Sequence, residues 1–430
     1  MQRDNKPIDT SLQKEVTLKR LILHTACLGI VVMLATVAAF GGGFQINENG
    51  ARAMAQGGAF AARASDASAI YFNPAGLAFQ PNGEIYLGTT LIMPSVAFYG
   101  PITDANDPAI KNESKMVSQT FTPINGYITY PVSSDLHVGF GVMNPYGLGT
   151  EWDPNWVGKY ITTKVDLQTF YYTPTVAYRL SDKLSIGAGL DIVTGTVKLQ
   201  QAKSVINTDT RVVIDMTTKT AYGFNVGVQY KIDPKWGIGV SYRSAVKMDA
   251  SGTATFNPQF TLPALNVVND DVTSSLKLPA TAFAGISYKA SPQLELEADY
   301  QFIGWSSYKS LAIDFKKDPT KDIVSPKNYS DTYMIRVGGE YTMEAWQFRA
   351  GYLYDHTPVS AAYVEPLLPD ASRNGVNIGA GYAFNKSIRA DVSYMFLKFD
   401  QRKAENTNIV FDGTYNASAH LVGIDLGYTF

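Results

Sequence analysis

Period-two alternation of apolar and polar residues runs through most of this 430-residue chain. In the last segment, one face carries Val422, Ile424, Leu426, Tyr428 and Phe430, and the other carries Gly423, Asp425, Gly427 and Thr429. The same alternation recurs over 295–302, 333–341, 346–355 and 388–396. Because successive side chains of a strand point to opposite faces, each segment predicts a β-strand with one apolar and one polar face.

Short turns and long loops alternate between these strands. Six tight turns are predicted at 133–135, 181–183, 233–235, 290–292, 343–345 and 385–387. Longer polar stretches fall near 101–118, 151–166, 201–218, 257–272, 314–329, 359–372 and 402–413. This wiring gives seven hairpins and therefore fourteen antiparallel strands, and it is typical of bacterial outer-membrane barrels.

A soluble sandwich would show the same alternation, so the ends of the strands are needed to choose between the two folds. Aromatic residues stand beside the turns, as the interfacial girdle of a membrane barrel requires; they are Tyr230, Tyr288, Tyr341, Trp346, Tyr382 and Phe384. A closed sheet leaves no strand edge unpaired in lipid. We therefore predict an all-β transmembrane barrel.

The first 39 residues read as a cleavable export signal. A polar stretch ends in Lys19-Arg20, an apolar run follows from Leu21, and small residues close it at Ala39. The alternative is an uncleaved transmembrane helix, since 19 apolar residues just span a bilayer. The only cysteine, Cys27, lies within this segment, so a mature chain would have no thiol chemistry. The predicted location is the outer membrane of a Gram-negative bacterium.

The segment from Gly41 to Gln80 is rich in glycine and alanine. Its side chains are too small to build a core and too apolar for a free tail, so we expect it to fold inside the barrel. The predicted organisation is a signal peptide at 1–39, an N-terminal hatch (plug) at 40–81 and the barrel at 82–430.

Several motifs resemble the FadL/TodX family of outer-membrane transporters for long-chain fatty acids and other hydrophobic compounds. They are Gly43-Phe44-Gln45, Asn73-Pro74-Ala75 within AIYFNPAGLA, the run from Asn144 to Trp152, Asp331-Thr332-Tyr333, and the run from Tyr354 to Pro358. The resemblance covers the mature chain. It implies a fourteen-stranded barrel with a hatch, capture of substrate by extracellular loops, and sideways release at a kinked third strand.

Three candidate sites follow from the resemblance and from the residues themselves. Asn73, Pro74 and Ala75 are predicted to form the hatch constriction, although Asn-Pro by itself indicates only a turn. Asn144, Pro145 and Gly147 are predicted to open the wall, because proline and glycine interrupt a strand; the alternative is that Pro145 ends the strand. A capture groove with exposed tryptophans is predicted from Trp152, Trp156, Tyr160, Leu262 and Leu265, but the tryptophans could equally sit at the lipid interface.

Charged residues on the polar faces are predicted to point into the lumen, where Arg336, Arg349 and Arg389 are the cations. An arginine could bind a carboxylate, but a network that braces barrel and hatch is the favoured interpretation. Ser418 and His420 share one face of the last strand, and we interpret them as an incidental polar pair rather than a lipase site. No enzyme activity, cofactor, metal site or nucleic-acid binding is predicted.

The predicted function is passive uptake of hydrophobic molecules, most simply long-chain fatty acids, by a monomer in contact with outer-membrane lipid. Aromatic hydrocarbons or alkanes are an alternative substrate class, and a porin for hydrophilic solutes is a further alternative. Periodicity does not reveal pocket shape, so the sequence leaves these open.

Overall fold

A computed structural model of the chain describes residues 42–102, 111–261, 267–406, 409 and 411–430. The predicted signal peptide and the groove residues Leu262 and Leu265 lie outside these residues. Across the described parts of the chain, one antiparallel sheet dominates the fold. In that same part of the chain, no helix combines the length and the apolar character needed to cross a membrane.

Fourteen long strands, some of them interrupted, make up the described sheet. They are β1 (Glu84–Ile102), β2 (Ile124–Pro131), β3 (Leu136–Met143 and Gly147–Glu151), β4 (Lys164–Arg179), β5 (Leu184–Val205), β6 (Thr208–Thr218 and Ala221–Lys231), β7 (Trp236–Arg243 and Val246–Asn257), β8 (Asp270–Leu278 and Thr281–Lys289), β9 (Leu294–Ile303), β10 (Thr332–Met343), β11 (Trp346–Asp355), β12 (Arg373–Ala383), β13 (Ile388–Phe399) and β14 (Gly413–Thr429). Short strands at Lys111–Lys115, Ser310–Phe315, Ile323–Pro326 and Arg402–Ala404 extend the long-loop end.

The sheet closes on itself. Each strand pairs with the next, and β14 pairs with β1 from Glu84↔Thr429 to Tyr99↔Thr414. Closure leaves no long edge of unpaired amides, which is what a lipid environment demands. The prediction of a closed barrel of fourteen antiparallel strands is confirmed for the described residues.

The two faces of the wall differ as the alternation predicts. On β14, Ile424 and Leu426 are half exposed, whereas Asp425 between them is buried. Tyr341 and Trp346 are exposed beside a short turn, as an aromatic girdle requires. In these parts of the wall, the apolar face therefore points outward, and the polar face points into the barrel.

All six tight turns occur where they are predicted, but one predicted loop is wrong. Residues 201–218 form a continuation of β5 and β6 that reverses at Ile206 and Asn207, both with positive φ (46° and 60°). Buried Val212 and Ile214 show that the alternation continues through this stretch. The exposed polar residues Arg211, Asp215 and Thr217 form the outward face of a strand, so their polarity does not indicate an irregular loop.

Residues 42–80, called the inner segment below, are almost completely buried and contact the inward faces of strands all round the barrel. They contain two single-turn helices, α1 (Ala51–Met54) and α2 (Ala69–Phe72), and a 3₁₀ helix at Pro74–Phe79. The backbone of Gln56 and Gly57 lies so close to Gly338 and Gly351 that a Cβ atom on either wall glycine would collide with it. Glycines on the wall therefore allow this close approach. The boundaries of a hatch at 40–81 stay a prediction.

Candidate functional site

The third strand is broken where proline and glycine interrupt it. Its first part ends at Met143 and its second begins at Gly147. The first part pairs with β2 and β4, but in the described structure the second part pairs with β4 and not with β2. Residues 147–150 are buried without alternation, so this part of the strand is covered on both faces.

The inner segment binds the backbone groups that the kink leaves unpaired. The amide of Ile46 donates to the carbonyl oxygen of Pro145 at 2.8 Å, and the amide of Gly147 donates to the carbonyl oxygen of Phe44 at 3.0 Å. Gln45 and Tyr146 form the bridge between these two bonds. Since buried backbone groups need partners, the inner segment acts as a short replacement strand beside the kink.

The side chain of Asn144 spans the kink. Its Oδ1 accepts from the amide of Ile124 at 2.9 Å, and its Nδ2 donates to the carbonyl oxygen of Thr169 at 2.7 Å. It thereby joins β2 to β4 across the point where β3 turns away, and it is fully buried. Asn144, Pro145 and Gly147 therefore all lie at the kink, and their role in a lateral opening stays a prediction.

A gap in the strand pairing of the wall, called the window below, adjoins this kink. Its lower border is the last β2–β3 pair, Asn125↔Met143. Its upper border is the bond from the amide of Val117 to the carbonyl oxygen of Glu151 at 2.7 Å. Between these borders, residues 118–123 form no regular strand. The window therefore separates β2 from the second part of β3.

A small apolar cavity lies inside the barrel next to the second part of β3. Its lining includes Phe44, Leu148, Val165, Leu167, Leu199, Met216, Met248, Ala250, Leu276, Tyr308, Tyr329 and Leu368. Lys327 and Glu365 stand at the cavity as a buried ion pair. The apolar lining suits the hydrocarbon part of a ligand.

A larger groove lies towards the long loops and shares Leu199, Leu311, Glu365 and Leu367 with the cavity. Tyr160, one of the predicted capture residues, lines it. A ligand in the groove would therefore meet the same side chains that border the cavity.

Trp152 and Trp156 are buried rather than exposed, so the exposure predicted for them is wrong. Their rings stack at 4.3 Å, and Trp156 also packs against Phe98 and Phe411. The indole nitrogen of Trp152 donates to the carbonyl oxygen of Pro366 at 3.2 Å. The pair ties the loop after β3 to neighbouring loops, and its part in ligand capture stays a prediction.

Asn73, Pro74 and Ala75 lie against β5 and β6, near the short turns. Asn73 Nδ2 donates to the carbonyl oxygens of Ala61 (2.8 Å) and Val228 (3.0 Å), and its Oδ1 accepts from the amide of Ala75 at 3.2 Å. The fully buried Asn73 side chain thus fixes a turn to the wall. Its role as a constriction stays a prediction.

Carboxylates on the wall hold the inner segment by its backbone. Asp299 Oδ2 accepts from the amides of Phe60 and Ala61 at 2.8 and 2.9 Å. Glu297 Oε1 accepts from the amides of the next two residues at 2.7 and 3.1 Å. Asp425, Glu84 and Asp355 bind the amides of Ala51, Ala67 and Gly42 in the same way.

The three predicted lumen arginines all point inward. Arg349 donates to Glu340 and Asp391, both at 2.6 Å. Arg389 donates to Asp391 at 2.7 Å and to Glu84 at 3.3 Å. Glu340 also binds Arg52 of the inner segment at 2.9 Å, so these ions connect wall and inner segment.

Arg336 differs from the other two arginines because its described hydrogen-bond partners are the neutral side chains of Asn47, Gln301 and Met334. It donates to Gln301 at 2.6 Å and to Asn47 of the inner segment at 2.9 Å. Its guanidinium also lies 5.3 Å from the ring centre of Phe283. Of the two interpretations made from the sequence, carboxylate binding and a bracing network, these contacts favour the bracing network.

Asp370, in the loop between β11 and β12, anchors the start of the inner segment. Its Oδ2 accepts from the amide of Gly43 at 3.2 Å and from the hydroxyl of Thr357 at 2.5 Å. Burial raises the pKa of Asp370 to about 7. The anchor is therefore a carboxyl group that titrates near neutral pH.

The sequence predicts no site at Phe44, Lys327 or Glu365, yet the structure brings these three residues to one cavity. Phe44 belongs to the Gly43-Phe44-Gln45 motif, and this motif is the sequence feature that could have indicated its role. Lys327 and Glu365 lie in different loops, and nothing in their spacing predicts their pairing.

Comparison with known proteins identifies the family. The family model described as outer membrane protein transport protein (OMPP1/FadL/TodX) matches residues 32–430. The chain belongs to this family. It is therefore an outer-membrane transport protein rather than an enzyme, and the resemblance stated from the motifs is confirmed.

Two curated relatives span nearly the whole chain. A long-chain fatty acid transport protein of Salmonella typhi is 24% identical over 446 residues, covering 96% of this chain and 100% of the relative. Its counterpart in Escherichia coli K12 is 25% identical over 456 residues with the same coverage.

Two solved structures share the barrel fold. A FadL homologue of Pseudomonas aeruginosa superimposes with a TM-score of 0.77 at 21% identity, covering 91% of this chain and 100% of that structure. The toluene transporter TodX of P. putida gives 0.68 at 18% identity, covering 88% and 97%. With the family established, the short turns of the OMPP1/FadL/TodX barrel lie at the periplasmic end and the long loops at the extracellular end.

Proposed function

We propose that this protein takes up long-chain fatty acids across the outer membrane and releases them sideways into the bilayer. The observation that carries the proposal is the position of the apolar cavity between the outer groove and the kinked β3. Phe44 lines the cavity, and its carbonyl oxygen binds the amide of Gly147 in the kink. A ligand that displaced Phe44 would loosen the bond that holds the kink.

The proposed route has three stages. The groove beside Tyr160 collects the ligand, the cavity beside Leu148 holds its apolar body, and the window between β2 and β3 releases it. Lys327 supplies a cation for a carboxylate head group, in exchange with Glu365. The names of the curated relatives favour fatty acids as the substrate.

Aromatic hydrocarbons are the second candidate substrate. The ion pair of Lys327 and Glu365 leaves the cavity without net charge from these two groups, which suits an uncharged ligand. The structural similarity to the toluene transporter TodX motivates the same test.

Uptake by cells tests the proposal directly. Labelled oleate and labelled toluene are supplied to cells with and without the protein. Ala250→Trp fills the cavity, and Ala284→Trp on the exposed outer face of β8 is the matched control. We expect Ala250→Trp to lower oleate uptake about tenfold while the control transports normally, because overpacking displaces a bound ligand. Equal oleate uptake with and without the protein would refute a role in fatty-acid uptake.

Blocking the window tests lateral release separately. Thr120→Cys places an exposed thiol in the stretch beside the window, and Ser133→Cys places one in a periplasmic turn. A bulky maleimide on residue 120 should lower oleate uptake several-fold, whereas the same label on residue 133 should not. Normal uptake by the labelled Thr120→Cys protein would refute the lateral route but would not contradict a role in uptake.

A further inference from the structure

The outer faces of β7 and β8 carry matched residue pairs at both borders of the membrane. At the periplasmic border, Trp236 and Tyr288 are register partners whose rings stack at 4.3 Å. At the other border, Lys247 and Lys277 are register partners, and both are exposed. Aromatic residues at one end and lysines at the other thus frame the same two strands.

The spacing of these pairs matches the thickness of the membrane. Trp236 and Lys247 stand 11 residues apart (247 − 236), as do Lys277 and Tyr288 (288 − 277). At ~3.3 Å per residue and a tilt near ~45°, this corresponds to roughly 25 Å, the height of the apolar band of a barrel. The lysine pair therefore lies at the level of the outer-leaflet head groups.

Two lysines directly opposite each other repel, and the cluster around them is positive. Lys219 is also exposed, and its amide donates to the carbonyl oxygen of Asp249, which places it beside β7. The Asp249 carboxylate lies 3.3 Å from Lys247 and compensates for one of the three cations. Like charges opposite each other in a sheet are destabilising unless an anion lies between them.

Neighbouring acids on these strands are already paired with other lysines. Asp215 on β6 binds Lys198 at 3.0 Å. Asp271 on β8 lies 3.6 Å from Lys316. The lysine patch, defined as Lys219, Lys247 and Lys277, therefore keeps an excess of positive charge facing the membrane border.

We propose that the lysine patch binds the phosphate of an anionic, phosphorylated lipid in the outer leaflet. Ammonium groups bind phosphate as compact point charges. The apolar strip below, which includes Val240 and Tyr242, contacts the acyl chains of the same lipid. The lipid would hold β7 and β8 at a fixed depth in the membrane.

Lipid binding by the purified full-length protein tests the proposal. The probe is bisphosphorylated lipid A in non-ionic detergent, with binding followed by native mass spectrometry. Lys247→Gln/Lys277→Gln should weaken binding about 25-fold, since each lysine contributes about fivefold at a membrane surface. Lys247→Arg/Lys277→Arg should retain binding. The control Lys183→Gln/Lys386→Gln removes two exposed lysines from periplasmic turns and should bind normally.

Three results would overturn the proposal. The first is equal lipid A binding by the Gln variant and the parent protein. The second is equal weakening by the periplasmic control, which would indicate non-specific charge attraction. The third is a dimer that dissociates on Lys247→Gln/Lys277→Gln, because the patch would then bind a second copy of this chain. Heat-modifiable migration on gels verifies that every variant is folded.

Discussion

The carbonyl oxygen of Phe44 accepts a hydrogen bond from the amide of Gly147 at 3.0 Å, joining the inner segment to the kink of β3. The phenyl ring of the same Phe44 lines the apolar cavity and packs 4.5 Å from the ring of Trp305. One residue therefore contacts both the ligand space and the wall opening.

Ile46→Pro should loosen the kink. It removes the amide that binds the carbonyl oxygen of Pro145, whereas Ile46→Ala keeps that amide and serves as the control. Loss of one hydrogen bond of about 1 kcal/mol should speed hydrogen exchange at the amide of Gly147 about fivefold. Exchange measured by mass spectrometry checks this. An unchanged rate in Ile46→Pro would show that the two elements are not coupled.

Gly187→Ala should displace the Asn73-Pro74-Ala75 turn. A Cβ atom at Gly187 would collide with the backbone of Pro74 and Ala75, whereas one at Gly126 meets only the flexible side chain of Leu87. We expect Gly187→Ala to lower the free energy of unfolding by about 1–3 kcal/mol. Guanidinium unfolding in lipid vesicles measures this, with Gly126→Ala as the control. Equal stability of the two variants would contradict the close packing at this turn.

Changing the cavity ion pair should change ligand preference in opposite directions. Glu365→Gln frees Lys327 for an added carboxylate, so oleate should bind about tenfold more tightly. Lys327→Met leaves Glu365 buried without its cation, so oleate should bind about tenfold more weakly. Toluene binding should change little in either variant. Calorimetric titration of both ligands measures the effects, and parallel changes for oleate and toluene would argue against a head-group role.

The anchor at Asp370 should weaken as the pH rises. Its pKa is about 7 in the folded protein, above the ordinary value of about 3.9. Between these two pKa values the folded state binds more protons than the unfolded state. The contribution of Asp370 to folded-state stability is therefore fully present below about pH 4 and is lost as the pH rises through about 7. Exchange of the Gly43 amide, corrected for its intrinsic rate, should accelerate from pH 5 to pH 8. Asp370→Asn should remove this pH dependence of exchange. If the pH dependence persists in the variant, a group other than Asp370 causes it.

Much of the barrel follows from local rules in the sequence. The alternation around Ile424 and Leu426 predicts the outward face of β14, and turn residues fix the periplasmic hairpins. Pro145 and Gly147 mark the kink, because their effect on strand pairing is intrinsic to those residues. At 201–218 the same alternation was present, but the polar outward residues made it resemble a loop.

The cavity could not be predicted in the same way. Lys327 and Glu365 come from different loops, and their contact depends on how those loops fold over the barrel. Trp152 and Trp156 look like surface residues because polar residues surround them in the sequence. Their burial depends on Phe98 and Phe411, which are distant along the chain.

The grip of wall carboxylates on the backbone of the inner segment has an evolutionary consequence. Asp299 and Glu297 bind amide groups, which nearly every amino acid supplies, so the hold on residues 60–63 tolerates replacement of their side chains. Side chains elsewhere on this segment, such as Phe44, can then diverge to fit a new ligand while the carboxylate–amide hydrogen bonds are kept. The ligand selectivity of such a barrel can therefore change through substitutions in the inner segment alone, while the barrel wall is conserved.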